Sequence, residues 1–156
     1  MLVAGALYDW LKFLHVLAAM LWLGGTAALS VVATHLARHG ERNVIERFVR
    51  SLGVVGPIVL APATLSVVGF GIWLVLDSEA WDFGQTWVWL ALVLFAAAFV
   101  VGAGFQSRAA VSGRRAAEGG DDREAARQLS RWAWGSRLIL IILVVAAWDM
   151  VFKPGL

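Results

Sequence analysis

Four long apolar runs constrain this chain more than any other feature. They cover roughly Phe13–Ala33, Val54–Leu76, Trp87–Phe105 and Leu138–Phe152, the last extending backward through Trp132 and Trp134. Each approaches or exceeds the ~18–20 residues that carry a helix across a hydrocarbon layer. In lipid every backbone N–H and C=O needs a partner from the protein, so only helices and closed barrels span. Runs this long and this uniformly apolar select helices. Of the 156 residues, 60% are hydrophobic and 15% charged, against ~25% charged in soluble domains. The expected fold class is therefore all-α, an integral membrane four-helix bundle. It forms one domain over 1–156, with spans near 8–36, 52–77, 85–107 and 133–153, and its first partner is the lipid bilayer.

Charge placement orients the bundle. Arg38, Arg42, Arg47 and Arg50 lie between the first two spans. Arg108, Arg114, Arg115, Arg123, Arg127 and Arg131 lie between the last two, and Arg137 follows just inside the fourth. Only Lys12 and Lys153 remain for the other side, where the connection "LDSEAWDFGQTW" is acidic. The positive-inside rule then puts two basic loops in the cytoplasm and both the N and C termini outside, in the inner (plasma) membrane of a bacterium. The net charge of +2 thus reflects topology, and no nucleic-acid partner is expected. The first nine residues hold no Lys or Arg, and the apolar run exceeds the ~7–15 residues of a secretory signal. Tryptophan follows the same plan: Trp10, Trp73, Trp81, Trp87, Trp89 and Trp148 fall at the outer interface, and Trp132 and Trp134 at the inner one. Trp22 is the exception, near mid-membrane.

The second cytoplasmic loop carries a helix start. Gly119–Gly120 is flexible, Asp121 or Asp122 is a cap, and good helix formers follow. A cytoplasmic helix over 121–132 is expected to run into span four, with Gly135 as a bend. In the first loop Val44, Ile45, Phe48 and Val49 recur at helical spacing, opposed by arginines. That stripe fits solvent-facing helix extensions, the membrane surface, or the other loop. Pro57 and Pro62 kink span two, as a static packing feature or as a hinge. Small residues in spans one and three (Ala18, Ala19, Gly24 and Gly25; Ala96 to Ala98, Gly102 and Gly104) permit close helix contact. They also leave room for a flat ligand.

There is no cysteine, which excludes disulfides and thiolate sites. No phosphate-binding glycine loop, H-E-x-x-H motif or nucleophile–base pair is present. Rings of polar residues are missing from the spans, so a channel is not supported. Attention falls on ionisable residues in the spans, since each is costly in lipid. His15 lies within "WLKFLHVLAAMLWLGG", and Asp149 within "AAWDMVFKPG" near the outer end of span four. The two can share a level. A histidine can give one ring proton to a carboxylate while its other nitrogen faces a metal, with Asp149 then in the second shell. Three readings stand: a structural bond tying span one to span four, haem ligation, or a proton or ion relay.

The segments "YDWLKFLHVLAAMLWLGG", "APATLSVVGFGIWLVL", "WDFGQTWVWLAL" and "DMVFKPG" together resemble a bacterial family of predicted integral membrane proteins catalogued as a domain of unknown function. The resemblance covers nearly the whole chain and implies four helices. A looser likeness rests on W-L-K-x-L-H followed by W-x-G in span one. It is similar to the first helix of membrane protoporphyrinogen oxidases and of copper-resistance D-type proteins. The oxidase likeness implies that His15 ligates haem, of the b type. The oxidases also use a third-helix lysine, and "QTWVWLALVLFAAAF" has none, so the implied role is a haem site without the oxidase chemistry.

His35 lies about 30 Å beyond His15 along a helix, so neither His35 nor His39 can share a haem with His15 in one subunit. Met150 is then the sixth ligand within the chain, unless another chain supplies it or the iron stays five-coordinate. Trp22 and Thr26 share a stripe with His15, Ala18 and Ala19. Lys12 and Lys153 either anchor the interface or meet haem propionates. Two functions remain: a redox-associated protein holding haem or another tetrapyrrole through His15, or a cofactor-free accessory or structural subunit of a larger respiratory or photosynthetic complex. A homo-oligomer fits either.

Overall fold

The computed structural model describes residues 2–155, with side chains from residue 5 onward. Helix α1 spans Leu2–His39, α2 Arg42–Leu76, α3 Thr86–Glu118 and α4 Asp122–Phe152. All four are long and apolar enough to cross a membrane, and no strand occurs among the described residues. Successive helices run antiparallel. One end of the bundle, the terminal end, holds the chain termini and the Asp77–Gln85 connection. The other, the basic end, holds the two arginine-rich turns.

Helix α4 is the hub. It packs along α1 on one side and along α3 on the other, while α2 packs on α1 and, at the basic end, on α3. Helix–helix contact in lipid depends on close approach, because lipid tails are as apolar as the side chains they would replace. The buried positions are accordingly small. Ala33, Ala109, Ala117, Ala125 and Ala133 make up half of the core at the basic end, with Ile45, Val49, Leu52, Leu129 and Trp132 between them. The stripe beginning at Val44 therefore buries Ile45 and Val49 against α3 and α4, and Phe48 packs beside them. Ile45 and Val49 form an internal seam at the basic end, while Val44 is exposed. At Gly135 a Cβ would sit 2.8 Å from Gln106 Cγ and 3.0 Å from Phe105 Cδ1. Its place in the chain serves close approach of α3, within an unbroken helix.

Both inner spans carry a wide turn. In α2 the segment Gly56–Leu60 is π-helical, with the Ala61 N–H bonded to the Gly56 carbonyl. Pro57 sits in its first turn, where a missing N–H and a ring that crowds the preceding turn favour such a change. In α3 the segment Val101–Gln106 is also π-helical, closing on Ser107. Both lie on the basic side of the layer formed by Trp22, Ala63, Ala98 and Ile139.

Polar contacts tie neighbouring helices. The Gln106 amide donates to Ser136 Oγ at 2.6 Å, and Ser136 donates to the Trp132 carbonyl at 3.1 Å. Arg137 donates to Thr34 Oγ1 at 3.0 Å, joining α4 to α1. At the start of α4, Asp121 is the cap, its side chain accepting from the Glu124 N–H at 3.0 Å. Before it, Gly120 turns the chain at φ +80°, a conformation open to glycine and costly for most residues.

Candidate functional site at the terminal end

His15 is almost fully buried, 8% exposed. Its neighbour is α2. Nδ1 lies 2.9 Å from the Val67 carbonyl oxygen, and because a carbonyl only accepts, Nδ1 carries the proton and Nε2 keeps its lone pair. The ring rests where Gly71 has no side chain: a Cβ there would lie 3.1 Å from Cε1 and 3.4 Å from Nδ1. The expectation that span four would supply the partner is thus corrected. His15 ties α1 to α2, through a backbone acceptor on a neighbour that approaches closely.

Asp149 is completely buried in α4, and both its carboxylate oxygens lack a hydrogen-bond partner among the described residues. Asp149 on α4 and His15 on α1 both lie in the terminal half of the bundle, beyond the layer of Trp22 and Ile139. No hydrogen bond joins the two among the described residues. Met150, the next residue, is half-buried.

The other residues singled out for a tetrapyrrole do not gather round His15. Trp22 is buried, and its indole packs edge-on to Phe95 at 6.0 Å, filling the space where all four helices meet. Thr26 is buried one turn further. Lys12 is exposed. Lys153 is engaged elsewhere, its Nζ 3.7 Å from the Trp81 ring centre and 5.5 Å from that of Trp87. These two rings meet edge to face at 5.2 Å, so the lysine and tryptophans fasten the end of α4 to the start of α3. Lys153 ends α4 in the left-handed region at φ 44°. No group of three or more His, Cys, Asp or Glu side chains gathers as a metal site among the described residues.

His15 therefore has the orientation of a metal-ligating histidine, with its other nitrogen held by a carbonyl. Beside the ring on the Nδ1 side stand the Val67 carbonyl and the space left by Gly71. Val67 and Gly71 are the site residues that the sequence did not reveal. The signal for Gly71 was its place in "VGFGIW" at a depth matching His15; a backbone carbonyl has none.

Four apolar helices of membrane-spanning length, joined by polar turns and tied by a few internal hydrogen bonds, make this an integral membrane protein. The chain belongs to the family described as "Predicted integral membrane protein (DUF2269)", whose model matches residues 9–154. No curated protein and no solved structure matches it.

Proposed function

We propose that the protein handles protons in the terminal half of the bundle, through Asp149 and His15, in the plasma membrane of a bacterium with both termini outside. The observation that carries this reading is Asp149, an enclosed carboxyl group whose two oxygens have no partner among the described residues. Such a group costs stability in an apolar setting, and an ionisable residue within a span marks function by default. His15 supports the reading from the same half of the bundle. With Nδ1–H held by Val67, Nε2 is the nitrogen free to accept a proton. A buried carboxyl group and an imidazole acceptor in one half of the bundle are the parts of a relay.

The test is reconstitution of the whole chain into liposomes that trap a pH-sensitive dye, followed by a potassium diffusion potential. Proton entry should exceed that of protein-free liposomes. It should vanish in Asp149→Asn and fall in His15→Gln, with both variants melting within a few degrees of the parent. Equal flux in the parent and Asp149→Asn, or none in the parent, refutes the proposal.

A second reading, haem or another tetrapyrrole held through His15, is supported by one feature, the carbonyl-held Nδ1–H that aims Nε2 as a ligand. Met150 or a group from a second chain would complete the coordination. An absorption spectrum after haem-replete expression tests it: a Soret band lost in His15→Ala and retained in His35→Ala and His39→Ala supports it. A cofactor-free accessory subunit of a larger complex draws only on the exposed apolar faces of α2 and α3, which lipid alone also covers.

A further inference from the structure

At the basic end, α1 and α4 line a groove of about 450 Å³. Its polar wall is built from Ser30, Thr34, Arg38 and His39 of α1 and Arg137 of α4, with His35 beside them. No carboxylate lines it. Arg42, Arg50, Arg114 and Arg127 each meet an acidic side chain; Arg38 and Arg137 are two of the arginines that form no ion pair among the described residues. The Arg137 guanidinium is instead steadied from two sides. It donates to Thr34 Oγ1 at 3.0 Å, and it lies 5.9 Å from the centre of the exposed Trp134 ring.

The groove is also graded along the bundle. Toward mid-membrane its walls turn apolar through Ala27, Val31 and Leu140, and Val31, Leu138 and Ile141 are exposed next to it. Trp134 marks the depth of an interface, where amphipathic rings favour the headgroup level. A pair of unneutralised arginines at headgroup depth, opening onto an apolar wall, matches a molecule with an anionic phosphate at one end and hydrocarbon at the other. Arginine presents a planar fork of donors that suits phosphate oxygens.

We propose that this groove binds the phosphate of an anionic phospholipid, with Arg38 and Arg137 on the headgroup and the Val31–Leu140 wall along an acyl chain. This proposal stands apart from the terminal-end site and does not depend on it.

Native mass spectrometry of the whole chain, released from detergent with equal amounts of dioleoyl phosphatidylglycerol and dioleoyl phosphatidylcholine, tests it. Phosphatidylglycerol should be retained in preference to phosphatidylcholine. Arg38→Gln and Arg137→Lys should each lower its retention about ten-fold, the scale of one charge-assisted hydrogen bond. Arg131→Gln, which removes the same charge outside the groove, should leave retention unchanged. Arg38 makes no hydrogen bond within the chain among the described residues, so Arg38→Gln tests binding even where Arg137→Lys disturbs packing. Equal retention of the two lipids, or an equal loss in Arg131→Gln, overturns the proposal. Inorganic phosphate that binds alone and displaces phosphatidylglycerol overturns the lipid assignment in favour of a free anion.

Discussion

Adding one methyl group at Gly71 should loosen the bundle, and removing His15 should reverse the sign of that effect. The new Cβ would stand 3.1 Å from His15 Cε1 and 3.4 Å from Nδ1, so the ring must retreat and its 2.9 Å bond to Val67 lengthens. Side-chain hydrogen bonds between membrane helices contribute about 0.6 kcal/mol on average. A buried donor left without its acceptor costs about 1–3 kcal/mol. Against this, alanine is favoured over glycine in a helix by roughly 0.5–1 kcal/mol. Gly71→Ala should therefore destabilise by about 1–2 kcal/mol net of that gain. In a His15→Ala background the methyl meets no ring, and the same change should stabilise by about 0.5 kcal/mol. Gly69→Ala is the control, because nothing lies within 4 Å of a Cβ there. Unfolding of the purified protein in mixed detergent micelles, read by far-ultraviolet circular dichroism, closes the double-mutant cycle. Equal destabilisation by Gly71→Ala in both backgrounds would refute the cradle.

Asp149→Leu, close in shape and without unpaired oxygens, should raise stability by about 1–3 kcal/mol, read as a higher melting temperature; a fall would show that Asp149 has a structural partner. Lys153→Gln should cost about 0.5–2 kcal/mol through loss of the cation–π contact, and should expose Trp81 to iodide quenching. Asp121→Ala should cost about 0.5–2 kcal/mol by opening the cap on Glu124. A reporter active only in the cytoplasm should work within 113–123 and fail at the C terminus; the reverse pattern inverts the orientation.

The fold class was legible because hydropathy over a span is a sum, and sums survive ignorance of neighbours. The start of α4 was legible for a local reason: Asp121 needs only the N–H of Glu124, three residues on. The site was legible only as single residues. His15 and Asp149 stand out in apolar runs, yet the partner of His15 is a carbonyl of α2, reached through a gap left by Gly71. That depends on which helices touch and in what register, and α2 carries no side-chain mark at Val67. The stripe of Ala18, Trp22 and Thr26 was ambiguous for a related reason. Small residues suit a flat ligand and a neighbouring helix equally, and which helices pack on Trp22 is written in no local pattern. Likewise, whether Ile45 and Val49 faced water, lipid or protein turned on the course of α3 beyond Gln106, which the stripe itself does not encode.

Each π-helical segment can be read as one residue inserted into an α-helix. Such an insertion rotates everything beyond it by roughly 100°, the angle per residue of a helix with 3.6 residues per turn. A helical wheel drawn straight through Arg42–Leu76 therefore merges two unrelated wheels, one that buries Ile45, Val49 and Leu52 and one that turns Gly71 toward His15. The two ends of the bundle are geared separately. Deleting a single residue within Gly56–Leu60 would leave the composition of α2 nearly unchanged, yet turn either the seam at the basic end or the His15 cradle away from its mate.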